Sequence, residues 1–149
     1  MDSELSDKIL KESRRVYEYL LHEFGNRFDW LNLCEYDIDP CDVGLSTVLM
    51  DDYINYRFID KFNREPELQD EWKKFFDFIE EMLCLEDKSL TEVIDTTILE
   101  VLASEGSVDL EKVLGYCGNK TRRSILGSVR NYYGRPDRAD ELLKRYSCR

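Results

Sequence analysis

The stretch Leu33-Cys34-Glu35-Tyr36-Asp37-Ile38-Asp39-Pro40-Cys41-Asp42-Val43-Gly44 concentrates two cysteines, four carboxylates and a tyrosine in twelve residues. Such a set could ligate a metal, hold a catalytic acid cluster, or meet a protein partner. As a zinc site it is poorly spaced: six residues separate Cys34 from Cys41, whereas knuckles use two to four, and no second pair matches. Asp37, Asp39 and Asp42 are hard ligands better suited to calcium. Asp37-Ile38-Asp39 could begin an EF-hand loop. Pro40, Cys41 and Asp42 then occupy its fourth to sixth positions, where the loop needs an oxygen ligand and a glycine. Val48 stands at its twelfth position, in place of the glutamate. The sequence reads against a metal, and no cofactor is expected.

Catalytic constellations are equally incomplete. His22 is the single histidine. His22-Glu23 opens a zinc-protease pattern whose second histidine is replaced by Asn26. A thiol hydrolase would need His22 beside Cys34, Cys41, Cys84 or Cys117, and nothing local marks any of these thiols as activated. Cys84, between Leu83 and Leu85, and Cys117, after Tyr116, read as buried inert thiols. His22 itself reads as a residue of the C-terminal turn of its helix, where a cation is favoured. There is no glycine-rich phosphate loop and no Gly-x-Ser-x-Gly elbow. Glu80-Glu81 and Asp51-Asp52 say little in so acidic a chain. A non-enzyme is expected.

Charge is more informative. The 149 residues carry a net −11 with pI about 4.6, distributed unevenly. Residues 29–60 hold eight acids and one base, and residues 119–149 hold nine bases and three acids. An acidic body repels nucleic acid and attracts basic proteins. The basic end, with Lys120, Arg122, Arg123, Arg130, Arg135, Arg138, Lys144, Arg145 and Arg149 beside Tyr132 and Tyr133, could grip phosphates and stack bases. Pairing with the chain's own acidic helices is the favoured account of it. In the acidic segment, Trp30, Tyr36, Tyr53 and Tyr56 are residue types that anchor interfaces, and the carboxylates would steer a basic partner. Glu35, Tyr36, Asp37, Asp39, Asp42, Asp51, Asp52, Tyr53 and Tyr56 therefore form the candidate partner-binding set, with Asn55 on the side of Asp51 and Asp52. A face of this kind can cover the cationic active site of an enzyme acting on nucleic acid.

The elements that position these residues read as helices throughout. Leu5, Ile9, Val16, Leu20 and Phe24 make a helical stripe stopped by Gly25. A short helical piece covers 27–33, and Asp39-Pro40 resembles a helix start. A helix from about Leu45 to Phe62 has two apolar faces, Leu45/Leu49/Tyr53/Tyr56 and Met50/Ile54/Phe58/Phe62, so it is central or offers one face to a partner. Pro66 opens a helix to about Leu85, with Leu68, Trp72, Phe75, Phe76, Ile79, Met82 and Leu83 inward. Ser89-Leu90-Thr91-Glu92 reads as a capping box before Leu90, Val93, Ile94, Thr97, Ile98, Val101 and Leu102. Ser107 is expected to cap a short helix ending near Gly118. Asn119 starts another, punctuated by Gly134 and Pro136, and a last amphipathic helix carries Ala139, Leu142, Leu143 and Tyr146. Seven or eight helices and no strand predict one all-α domain over residues 1–149, its C-terminal half stackable as helical hairpins.

Three segments also resemble a known family: residues 75–83 (Phe-Phe-Asp-Phe-Ile-Glu-Glu-Met-Leu), 94–102 (Ile-Asp-Thr-Thr-Ile-Leu-Glu-Val-Leu) and 114–121 (Leu-Gly-Tyr-Cys-Gly-Asn-Lys-Thr). They look like the small, acidic, all-helical immunity proteins of bacterial polymorphic and contact-dependent toxin systems. The likeness covers about the second half of the chain and rests on core positions and turns, so it implies a fold and a class of role, and it transfers no functional residue. It implies a protein that binds and neutralises a cognate toxin. The runner-up is a nucleic-acid-binding regulator acting through the basic end. The N-terminus lacks a signal-peptide pattern, no stretch is apolar enough to span a membrane, and five scattered cysteines suit a reducing compartment. A cytoplasmic location and no membrane partner are expected.

Overall fold

The computed structural model describes residues 3–36 and 44–146. Among these residues every regular element is helical, so the chain is all-α. It divides into two compact units, Met1–Phe58 and Ile59–Arg149. No helix among the described residues is long and apolar enough to cross a membrane. The Asp39-Pro40 helix start lies outside the described residues, as do Asp37, Cys41, Asp42, Cys148 and Arg149.

In the first unit, α1 (Ser3–Arg27) runs through Gly25 instead of stopping there. An interior glycine costs about 1 kcal/mol of helix propensity. A Cβ there would lie 3.7 Å from a Leu33 methyl, an ordinary van der Waals contact, so the packing does not demand glycine. Only the second half of the predicted stripe is buried: Val16, Leu20 and Phe24 are inside, while Leu5 and Ile9 are exposed. The reason is where packing begins. α1 packs on α2 (Leu45–Val48), and Ser46 Oγ donates to the Ser13 carbonyl at 3.3 Å. Two 3-10 turns, Asp29–Leu31 and Leu33–Glu35, replace the single short helix expected over 27–33.

A π-helical turn, Leu49–Asn55, joins α2 to α3 (Tyr56–Arg64). It explains the two apolar faces. A π turn takes up one extra residue, which rotates the later residues back by about 100° relative to an ideal α-helix. Leu45, Leu49, Ile54 and Phe58, spaced four, five and four apart, thus join one buried row, while Tyr56 is left exposed.

The second unit is organised around α4 (Gln69–Cys84), which packs against α5 (Lys88–Ile94), α7 (Leu110–Tyr116) and α8 (Asn119–Gly127). Neighbours on several sides bury Phe78 as well as the predicted Trp72, Phe75, Phe76, Ile79, Met82 and Leu83. α4 starts at Gln69, so Pro66 lies in the preceding turn. There the indole Nε1 of Trp72 donates to the Glu65 carbonyl at 3.0 Å. Two expected caps move by two residues each. Asp87, not Ser89, accepts the Leu90 N–H, and Asp109, not Ser107, accepts the Glu111 N–H. In both cases an ionised carboxylate, the stronger acceptor, displaces a nearby hydroxyl.

A second π turn, Asp95–Leu99, joins α5 to α6 (Glu100–Leu102). It shifts the cleanest predicted stripe by one residue. Leu99 becomes fully buried and Val101 only half-buried; Val93, which precedes the turn, is half-buried as well. Thr97 is buried inside the turn, its hydroxyl donating to the Val93 carbonyl at 2.6 Å. Deleting the exposed Thr96 should return the segment to α-geometry with Leu90, Ile94, Ile98, Leu99 and Leu102 on one face. We expect folding within about 1 kcal/mol of the parent, whereas deleting Asp77 from regular α4 should abolish it. Urea unfolding of both deletions checks this, and equal damage would refute the register argument.

α8 continues through a third π turn, Ser128–Tyr132, and stops at Gly134, whose φ of +62° is the left-handed value that glycine accepts without strain. Tyr133 anchors the stop, its hydroxyl donating to the Glu100 carbonyl at 2.9 Å. α9 (Pro136–Tyr146) then packs on α7 and α8 through Ala139 and Leu142, with Leu143 exposed. The start of α8 has an unusual cap. Its N-cap residue is Gly118, which has no side chain to offer. Glu80, reaching from α4, accepts the N–H groups of Lys120 (3.2 Å) and Thr121 (2.8 Å) and the Thr121 hydroxyl (2.9 Å).

Candidate functional site

Of the nine predicted partner-binding residues, Asp37, Asp39 and Asp42 lie outside the described residues. The rest fall into two groups in the first unit. Tyr53, carried by the first π turn, donates its hydroxyl to the Asn32 carbonyl at 2.5 Å. Asn32 sits between the two 3-10 turns at φ +51°, a left-handed conformation that asparagine tolerates better than most residues. The Tyr36 ring meets Tyr53 edge-on at 5.0 Å and Tyr17 of α1 at 6.5 Å. The Arg57 guanidinium lies 4.4 Å over the Tyr53 ring and 3.9 Å from the Glu35 carboxylate. Burial raises the Tyr53 phenol above its ordinary range; Arg57 opposes this, and Glu35 and Cys34 add to it. Tyr36 and Tyr53 are therefore clamped struts of the unit, and Glu35 is tied to the same cluster.

The second group is solvent-exposed. Asp51 and Asp52 are exposed, and Tyr56 has 72% of its surface in solvent. Asn55, expected beside them, is buried instead, because the π turn carries it inward. Arg57 is absent from the predicted set. It is the one base among residues 29–60 and stands four residues after Tyr53, a helical spacing that could have placed it on that ring.

Four bases of the basic end, Arg130, Arg135, Arg138 and Arg145, are paired with carboxylates within the second unit. Glu105, itself at φ +61°, accepts from Arg135 at 2.6 Å and Arg138 at 2.7 Å. The Arg138 hydrogen bond is the main reason that the Glu105 carboxyl lies below its ordinary range. Arg138 also meets Glu141 at 3.2 Å; Arg145 pairs with Glu111 and with Glu141, and Arg130 with Asp140. This is the internal pairing expected from the charge distribution. Tyr132 is exposed, and Tyr133 is held by the Glu100 carbonyl.

The thiols and the histidine stand apart in chemistry. Cys117 is buried, its Sγ donating to the Val113 carbonyl, and burial pushes its pKa far up. That thiol is inert at neutral pH. Cys84 is exposed, contrary to the buried reading, and its Sγ lies 3.7 Å from Glu80 Oε2. Its neighbours Leu83 and Leu85 mislead because the helix ends there and Leu85 itself faces solvent. His22 is exposed in the last turns of α1, with its Nε2 3.1 Å from Asn26 Nδ2. Among the described residues no group of three or more His, Cys, Asp and Glu side chains is placed to hold a metal ion. The chain matches no family model, and no curated protein and no solved structure is detectably similar to it.

Proposed function

We propose that this protein binds and neutralises a cognate bacterial toxin, in the manner of the immunity proteins that its second half resembles. The toxin would be a basic protein such as a nuclease. The observation that carries the reading is one of exposure: Asp51, Asp52 and Tyr56 face solvent from one helical stretch within a segment of eight acids and one base. Carboxylates in that position steer a cationic surface, and a tyrosine exposed over most of its area gains by being covered. The Tyr36–Tyr53–Arg57 clamp beneath supplies rigidity, which lowers the ordering cost of binding. Occlusion is the mechanism: the acids meet the toxin's cationic active-site face while Tyr56 seats beside it. No catalytic step by this chain is involved. The nucleic-acid reading has less support, since Arg130, Arg135, Arg138 and Arg145 already hold carboxylates of the chain itself.

Capture from the native host with the tagged protein identifies the partner. With it in hand, Asp51→Asn/Asp52→Asn should lower the association rate about tenfold and flatten its salt dependence. Tyr56→Ala should raise Kd by about 5–30-fold through faster dissociation. Tight binding by the combined Asp51→Asn/Asp52→Asn/Tyr56→Ala variant with an unchanged salt slope would place the interface elsewhere, and recovery of nucleic acid alone would favour the basic end.

A further inference from the structure

A groove of about 500 Å³ lies between α8 and α9 in the second unit, bordered by Arg122, Arg123, Leu126, Gly127, Arg130 and Leu143. Its volume falls in the range of small-molecule sites. Arg122 is the unusual member. Only 6% of its surface is exposed, and its guanidinium donates to neutral acceptors, the Cys117 carbonyl at 2.8 Å and Asn119 Oδ1 at 3.2 Å. Its Nε–H has no hydrogen-bond partner, and among the described residues no carboxylate pairs with it. A buried cation without a counter-charge is costly, and an unsatisfied buried N–H adds to the cost. Arg123, exposed on the rim, also has no ion pair among the described residues, whereas Arg130 is held by Asp140.

We infer that this groove is a binding site for a small amphipathic monocarboxylate. Its carboxylate would supply the counter-charge of Arg122 and Arg123, and its apolar stem would lie on Leu126, Gly127 and Leu143. Arg123, exposed at the rim, offers the planar guanidinium fork that matches a carboxylate, and Arg122, whose Nη groups are held by Cys117 and Asn119, contributes its positive charge to the groove wall. The low charge of the ligand is set by its surroundings: with Arg130 already neutralised and the chain at a net −11, a polyanion meets long-range repulsion that a monoanion largely escapes. Gly127 leaves the space open, since a Cβ built there meets no atom within 4 Å.

Octanoate is the probe, with octanol as its uncharged counterpart and inorganic phosphate as an anion without a stem. In 1H–15N spectra of the full chain, octanoate should shift the Arg122 Nε–H signal and the backbone amides of 119–143, with a Kd at least tenfold lower than that of either control. Gly127→Leu fills the groove and raises helix propensity, so it should fold at least as stably and bind at least tenfold more weakly. Arg123→Ala, a change at the rim, should weaken octanoate and leave octanol unchanged. The inference fails if phosphate or octanol binds as well as octanoate, if the shifts fall outside this groove, or if folded Gly127→Leu binds like the parent.

Discussion

Glu80→Ala is expected to destabilise the second unit by about 3 kcal/mol, because one carboxylate satisfies three donors of α8 at once. Removing it leaves the Thr121 N–H and hydroxyl without their acceptor on a fully buried residue. Gly118→Ala should do comparable damage by the opposite route. Gly118 has φ −76° and ψ 178°, which any residue adopts, so the backbone is not strained by the change. An added Cβ would instead lie 2.5 Å from Cδ of Glu80 and 2.7 Å from its Oε1. Glu80 is a flexible side chain, but its end is fixed by those three bonds, and stepping aside breaks them. The two variants should therefore be strongly non-additive: the double variant costs about what Glu80→Ala costs alone. Urea unfolding read by Trp72 fluorescence in a Trp30→Phe background measures the cycle, and additive losses would show that the cap and the close approach are independent.

The same carboxylate gives a pH signature. Burial raises the Glu80 pKa, but the bonds from Thr121 and Lys120 outweigh it, so the net shift is downward. A folded pKa below the unfolded one, about 4.3, contributes stability that is complete above that value and is lost as pH falls through the folded pKa. Glu80→Gln should remove that part of the acid sensitivity; an unchanged acid limb would assign it to other carboxylates, Glu105 first.

Trp72→Ala should cost about 3–5 kcal/mol, a large share of the stability of an ordinary domain. Trp72 is fully buried, and its ring meets Phe62 edge-on at 5.2 Å. Its indole N–H also ties the turn between α3 and α4 to the Glu65 carbonyl. The loss combines a large cavity with an orphaned carbonyl. Trp72→Phe separates them: it keeps most of the apolar volume and loses the hydrogen bond, so about 1–2 kcal/mol is expected. Circular dichroism on heating reads both, and a Trp72→Ala variant as stable as the parent would contradict the central place of this ring.

Much of this architecture is legible from local pattern. The spacing of Trp72, Phe75, Phe76, Ile79 and Met82 requires a buried helix, and the glycines at 118 and 134 mark real boundaries. The departures from pattern are also physical. Periodicity puts Val101 in the core and passes over Leu99, because it assumes an unbroken α-helix, and one extra residue in a π turn moves everything after it. Ser89 and Ser107 lose their expected caps to Asp87 and Asp109, which stand two residues away and accept more strongly. In the candidate set, Asp51, Asp52 and Tyr56 are exposed, while Tyr36 and Tyr53 make internal contacts.

By itself the sequence determined that the chain is helical, where most helices lie, that its charge is segregated along the chain, and that familiar catalytic and metal motifs are missing. Those properties depend on residue type and short spacing, which are local. Tertiary structure alone decided which charges are drawn into the packed units and which face solvent. Glu80 and Glu81 are adjacent and chemically alike, yet Glu80 is consumed as the cap of a helix forty residues away and Glu81 faces solvent. Arg122 and Arg123 are neighbours too, and one is buried without a counter-ion among the described residues while the other stands at the rim of a groove. A side chain's partner in a packed helical unit is set by the register and angle of a distant element, and that information is spread over every contact in the core.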